Sequence, residues 1–241
     1  MTSLADRTVL VVGGTSGIGA AIAARFARDG AAVTAAGLRA AEAPTSQPSG
    51  VDVVGLDVRD GDALERLVGA VSSRSGGLDV LVNAAGVLRR SDEFDPQVFR
   101  EVVEINLTAA MRACVAAHPG LVRRRGCVVN VASVLTFRGG PLVPAYTASK
   151  GGLAALTRSL AVAWGPAGVR VNAVAPGWIR TDLTADLQDD DERSADIVSR
   201  TPLGRWGRTD DVTGAAMFLA GPDAAFVTGV ALPVDGGYLA T

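Results

Sequence analysis

The 241-residue sequence predicts an α/β fold, a single domain built on one doubly wound, seven-stranded parallel sheet flanked by helices. Three observations carry this. Residues 8–12, Thr-Val-Leu-Val-Val, form a continuous apolar run, as expected of a strand buried on both faces of a parallel sheet. Gly13, Gly17 and Gly19 follow at once, and beyond them Ile18, Ile22 and Phe26 recur every four residues among alanines, the pattern of a helix packed on a sheet. The same strand-then-helix alternation continues to the chain end, which implies crossover connections.

After the strand at 8–12, further strands are expected near 32–36, 51–56, 80–83, 127–132, 170–174 and 231–234. Gly30 ends the first helix. Later helices are expected near 62–72, 96–117, 145–164 and 210–220, with an irregular helical stretch around 183–199. Residues 40–50, with Pro44 and Pro48, read as a loop placed where a cofactor's ribose edge would arrive. Residues 181–205 carry the acidic run from Gln188 to Glu192 and read as an exposed excursion of a length often used for a lid. Residues 1–241 show neither a domain boundary nor an internal repeat.

Composition narrows the function classes. With 48% hydrophobic and 20% charged residues, the chain has material for a sizeable core. Lys+Arg 23 against Asp+Glu 25 gives a net charge of -2 without a basic stripe, which argues against nucleic-acid binding. Apolar runs fall well short of the roughly 20 residues of a membrane span, and Asp6 and Arg7 interrupt the start, so a cytoplasmic protein is expected. In that setting Cys114 and Cys127 read as reduced, packed thiols. A single histidine, His118, and no clustered ligands argue against a metal site.

Two groups of residues carry chemistry. The glycines permit a tight turn, close backbone approach to a phosphate and tight helix-on-sheet contact, while the helix N-terminus offers free N–H donors. Their spacing is G-x-x-x-G-x-G, so on this ground alone a phosphate-bearing cofactor is all that follows. Tyr146 and Lys150 lie four residues apart on a predicted helix and share a face. A neighbouring ammonium favours phenolate and would lower the Tyr146 pKa, making an acid/base pair. The alternative is a half-buried aromatic beside a solvated lysine.

Gly13 to Gly19, the stretch from Asn83 to Gly86, Asn106, Ser133, Tyr146 with Lys150, and Pro176-Gly177, in this order, together resemble the short-chain dehydrogenase/reductase family. The resemblance runs from Val9 to Tyr238; Val12 and Ala84 depart from the family's usual threonine and asparagine. It implies a Rossmann-type domain that binds NAD(H) or NADP(H), acts on a small-molecule carbonyl/alcohol pair, and forms a homo-oligomer, a tetramer before a dimer, through the long helices around Asn106 and Tyr146. Tyr146 would exchange the proton, Lys150 would lower its pKa and bind the nicotinamide ribose, and Ser133 would hold the substrate oxygen. Asn106 would kink its helix and hold a water of the proton relay.

The resemblance likewise implies a cofactor cleft. Thr15, Ser16, Gly17 and Ile18 belong to its phosphate turn, with Gly13 and Gly19. Asp57 would meet the adenine beside Val58, Asn83, Ala84 and Gly86 would line the cleft, and Pro176, Gly177, Ile179 and Thr181 would pass the nicotinamide. Gly37 and Leu38 supply no acid for a ribose 2'-hydroxyl, and Arg39 offers a cation for a 2'-phosphate, so a modest preference for NADP over NAD is expected. Val134, Leu135, Phe137, Pro141, Val143, Leu183 and Leu187 suggest an apolar wall suited to an apolar substrate, a hydrophobic ketone or secondary alcohol, while Arg89, Arg90 and Arg138 read first as solvent-facing and second as partners of an anionic substrate. Competing functions are an epimerase or dehydratase that reuses its cofactor, and a cofactor-binding sensor without turnover.

Overall fold

The computed structural model describes residues 5–38 and 50–241. Its strands are β1 (Thr8–Val12), β2 (Ala32–Gly37), β3 (Val51–Gly55), β4 (Val80–Asn83), β5 (Cys127–Val131), β6 (Arg170–Pro176) and β7 (Ala231–Val234). They form one sheet in the order β3-β2-β1-β4-β5-β6-β7, with every pair parallel. Chain order reverses between β2 and β4 on either side of β1, so the carboxyl ends of β1 and β4 open a crevice where this fold places its ligand.

The helices are α1 (Gly17–Arg28), α2 (Gly61–Arg74), α3 (Pro96–Val103), α4 (Ala109–Arg124), α5 (Pro144–Trp164), α6 (Ala185–Gln188), α7 (Asp191–Ser199) and α8 (Thr209–Ala220). α1 packs on α8, and α2 on α4. The continuous apolar run of β1 serves both layers at once: Val9 and Val11 face the core with Ile22, Phe26, Val212 and Leu219, while Leu10 and Val12 face Leu64, Val68, Cys114 and Leu121. Alternate residues of a strand point to opposite faces, so a strand covered on both sides must be apolar throughout. β3 lies at an edge and is largely exposed. β7 lies at the other edge and tolerates Pro233 there, since a missing N–H costs no ladder bond on an open side.

Local chemistry sets several helix starts. Asp60 caps α2 by accepting from Ala63 N at 2.9 Å. Asp95 caps α3 ahead of Pro96, and Asp190 caps α7 through Arg193 N at 3.0 Å. The helix expected at 96–117 is longer and interrupted: α3 passes through a π turn at Glu104–Thr108 into α4, which runs to Arg124. The excursion after Thr181 holds α6 and α7, closed over Trp178 by a small apolar cluster of Leu187, Ile197 and Trp206. The candidate coenzyme cation Arg39 and most of the loop expected at 40–50 lie outside the described residues.

Candidate active site

The turn between β1 and α1 fits a dinucleotide. Gly13 has φ +83°, and a Cβ on it would run into the backbone of Ala84 and Ala85; one on Gly19 would strike the Gly13 carbonyl. These two glycines therefore let three segments pack backbone to backbone. Gly17, at φ +52°, instead faces open space, and a Cβ there would come no closer than 3.6 Å to its nearest neighbour, Thr181. Ser16, the N-cap of α1, makes no side-chain cap, so the first-turn N–H groups at Gly17, Ile18 and Gly19 remain for an anion. Thr15, Ser16, Leu38, Asp57, Val58, Ala84, Gly86, Pro176, Gly177, Ile179 and Thr181 all line the same cleft, whose volume is about 1390 Å³. Its size and the open helix terminus suit a dinucleotide together with a small substrate.

Elsewhere in the lining, Asp57 is bound to Arg59 at 2.6 Å, and the guanidinium holds its carboxyl below the usual carboxylate range. Asn83 departs from expectation. Its side chain lies beneath the cleft, with Nδ2 donating to Asn130 Oδ1 at 2.9 Å and to Cys114 Sγ at 3.3 Å. It ties β4 to β5 and α4 and does not form cleft wall.

Ser133, Tyr146 and Lys150 meet in the cleft at the ends of β5 and α5. Ser133 stands just beyond β5, and its Oγ also accepts from Leu135 N at 3.2 Å. Lys150 is 4% exposed and donates from Nζ to Val131 O at 2.8 Å. Its Nζ stands 5.5 Å from the Tyr146 ring centroid. The expected electrostatic effect is reversed. Burial pushes the phenol up to about 12, against a lowering hydrogen bond from Ser133, and burial pushes Lys150 down to about 8. Desolvation opposes the charged form of either group, and at Tyr146 the Glu93 charge acts in the same direction.

Asn106 occupies the π turn and is 1% exposed, behind Gly86 and away from the open cleft. Its Oδ1 accepts from Val87 N at 2.8 Å, and Nδ2 donates to Val87 O at 2.9 Å and Ser149 Oγ at 3.1 Å. The amide thus clamps the strand end after β4 to α5, and the extra residue of the π turn is what brings it inward. Glu93, which sequence reasoning missed, is also buried at 1% exposure. Its carboxylate accepts from Arg89 N at 2.9 Å and from Tyr146 N at 2.8 Å, serving as a distant cap for α5.

Val134, Leu135, Pro141, Val143, Leu183 and Leu187 line the cleft as expected, but Phe137 does not: it is half-exposed and the next residue, Arg138, takes its place in the lining. The wall is also more charged than its apolar residues suggest, with Glu101, Asp182, Asp190, Glu192 and Asp196 in its lining beside arginines. Arg89, Arg90, Arg138, Arg193 and Arg200 all reach it. Arg193 and Arg200 come from the excursion and carry no local sequence signal. Tyr238, one of two tyrosines in the chain, lines the same end.

A parallel seven-stranded sheet with this cleft and this side-chain set defines an enzyme of nicotinamide chemistry, and comparison with known proteins agrees. Residues 12–239 match the family model described as enoyl-(acyl carrier protein) reductase. The 2-dehydro-3-deoxy-D-gluconate 5-dehydrogenase of Bacillus subtilis is 38% identical over 98% of this chain and 96% of its own. The gluconate 5-dehydrogenase of Gluconobacter oxydans is 38% identical over 98% and 95%. Among solved structures, a gluconate 5-dehydrogenase from Burkholderia cenocepacia in complex with NADP and tartrate superposes with a TM-score of 0.92, at 32% identity over 99% of this chain and 98% of that one. The chain belongs to the short-chain dehydrogenase/reductase family. It is an NAD(P)-dependent oxidoreductase that interconverts a carbonyl and an alcohol. No helix among the described residues is long and apolar enough to cross a membrane.

Proposed function

We propose that this enzyme oxidises a secondary hydroxyl of a sugar acid, or reduces the matching keto acid, with NADP(H) as the preferred coenzyme. The observation that carries this reading is one cleft in which Ser133, Tyr146 and Lys150 share the lining with Arg90 and Arg138, neither of which has an acidic partner among the described residues. A neutral, apolar substrate would leave those two guanidiniums unused, whereas a carboxylate pairs well with guanidinium. The gluconate dehydrogenases among its relatives support the same class.

When bound, a nicotinamide would supply or accept the hydride. Ser133 holds the substrate oxygen, and Tyr146 takes its proton during oxidation or returns it during reduction. The Tyr146 phenol, pushed up to about 12 by burial, needs the ammonium of Lys150 to become a useful base. Lys150 binds the nicotinamide ribose, and Asn106 holds the backbone around Val87 in register with α5, where the resemblance also gives it a relay water. Gly13, Thr15, Ser16, Gly17, Ile18 and Gly19 receive the phosphates, Asp57 and Val58 the adenine, and Ala84, Gly86, Pro176, Gly177, Ile179 and Thr181 the nicotinamide side.

The coenzyme preference rests on the absence of an acid at Gly37 and Leu38, the cation of Arg39, and the NADP held by the Burkholderia relative. The single domain spans residues 1–241, with the excursion at 181–205 as its substrate cover. A homotetramer in the cytoplasm is supported by exposed Val115 on α4 and Val162 on α5, by Phe226, and by buried free thiols at Cys114 and Cys127. Tyr146→Phe tests the chemistry: turnover should fall by about 10²–10⁴-fold while NADPH binding, followed by fluorescence, stays near wild type. Near-wild-type turnover would remove Tyr146 from the mechanism. A clear NADH preference that survives Arg39→Ala would overturn the coenzyme reading.

A further inference from the structure

Three chain segments that are distant in sequence converge at the outer end of the substrate cleft. Arg138 lies on the loop that leaves Ser133, Arg200 follows the last turn of α7, and Tyr238 belongs to the C-terminal turn. The Arg138 Cζ stands 5.0 Å from the Tyr238 ring centroid and the Arg200 Cζ 5.1 Å from it. Arg200 also donates to the Tyr238 hydroxyl. The ring itself is held firmly: Tyr238 is 4% exposed, Trp178 meets it edge-on at 6.2 Å, and Asp235 accepts from Gly237 N and Leu239 N at 2.9 Å each.

Two guanidiniums brought to one ring repel each other, and only one of them has an acidic partner among the described residues. Arg138 has no acidic partner among the described residues, while Arg200 has Asp196 at 3.5 Å across an exposed contact. By contrast, Arg193 is paired with Asp190 at 3.2 Å and Arg89 with Glu101 at 3.8 Å. The aromatic face offsets part of the repulsion. A bound carboxylate would offset the rest, and the planar guanidinium fork matches it in geometry.

We infer that Arg138 and Arg200, braced on Tyr238, form the subsite for the carboxylate of the substrate. This rests on the sugar-acid reading above and assigns the recognition to two of the five arginines. Arg138 shares its loop with Ser133, so an acid group held there is kept at a fixed reach from the oxygen that Ser133 receives. Arg200 comes from the excursion, so the same carboxylate draws α7 toward the loop after Ser133. Substrate charge and cover closure are then one event.

The test measures kcat/KM with NADP⁺ for C5 and C6 aldonates, each beside its neutral alditol, in wild type, Arg138→Gln, Arg200→Gln and Arg138→Lys. The ratio of aldonate to alditol should fall about tenfold or more in each glutamine variant, as expected for loss of a charge-assisted hydrogen bond. Arg138→Lys should keep more of the ratio than Arg138→Gln, which a general structural defect would not produce. An aldonate preference that persists in both glutamine variants overturns the subsite and leaves the sugar-acid reading standing. A wild type that favours alditols, or oxidises no aldonate, overturns that reading and the subsite with it.

Discussion

Replacing Lys150 by methionine should make the cofactor-free protein more stable at neutral pH while destroying its usefulness as an enzyme. Lys150 is 4% exposed and its pKa is brought from 10.5 to about 8 by burial, without a carboxylate partner. Below pH 8 both folded and unfolded chains carry the charge, and the folded state bears a cost of about 3 kcal/mol for keeping an ammonium out of water. Between pH 8 and 10.5 the folded lysine loses its proton while the unfolded one retains it, so that cost fades as pH rises. Methionine removes the charge at similar length but leaves Val131 O without its 2.8 Å donor, a loss of about 1 kcal/mol. The net gain at pH 7 is about 2 kcal/mol, or about 4–8 °C in Tm for a chain of this size. By pH 10 the gain should have disappeared. Thermal unfolding of both proteins by circular dichroism, at half-unit steps from about pH 6.5 to 10, reads this directly across the window that the shifted lysine sets. A variant less stable than wild type at pH 7, or an offset that does not change with pH, would refute the claim that the lysine is held at a desolvation cost.

Glu93→Ala removes the carboxylate that bridges Arg89 N and Tyr146 N, leaving two backbone donors without their acceptor. The expected loss is at least about 2 kcal/mol, a fall in Tm of about 4–8 °C, and kcat should drop with it because the first turn of α5 carries Tyr146. Gly13→Ala places a methyl against the Ala84–Ala85 backbone at a φ of +83°, so NADPH affinity measured by fluorescence titration should fall at least about tenfold through displacement of the turn. Wild-type affinity in the Gly13→Ala variant would remove the turn from the cofactor site. For Asn83→Leu, loss of the Asn130 contact should lower Tm by about 2–8 °C without moving coenzyme preference, since the side chain lies below the cleft.

The fold was legible because its signals are local. Strands buried on both faces read as unbroken apolar runs, and six of the seven expected strands match the observed ones to within one residue at both ends because the runs stop where polar or glycine residues begin. β6 is the partial exception: it continues through Ala175 and Pro176, where pairing with β7 carries the strand past the apolar core of the run. The helix expected at 96–117 concealed its π turn, because an inserted helical residue leaves no composition signature. Its presence is set by what Asn106 must reach across the fold, at Val87 and Ser149.

The candidate site divides the same way. Gly13, Gly17, Gly19, Ser133, Tyr146 and Lys150 could be picked out because each has a chemical reason to be where it is in the chain, and the family resemblance tied them together. The direction of the Tyr146 and Lys150 pKa shifts could not, since it depends on how completely the fold excludes water from each group. Phe137 and Arg138 are neighbours, yet the loop turns the arginine inward and the phenylalanine out. An apolar residue predicts burial on average, but a loop of this kind is shaped by its packing on Gly140 and Val143.

The sheet, the glycine turn and the Tyr146–Lys150 pair were written in the linear chain, since each depends on residues a few positions apart and on periodicities that the backbone imposes. It took the folded molecule to bring Arg138, Arg200 and Tyr238 to one corner, to set Glu93 as the cap on the helix of Tyr146, and to give Asn83 to the sheet instead of the cleft. Those facts arise from long-range closure of the chain: charge, burial and hydrogen-bond partnership belong to places in space, which no local pattern encodes.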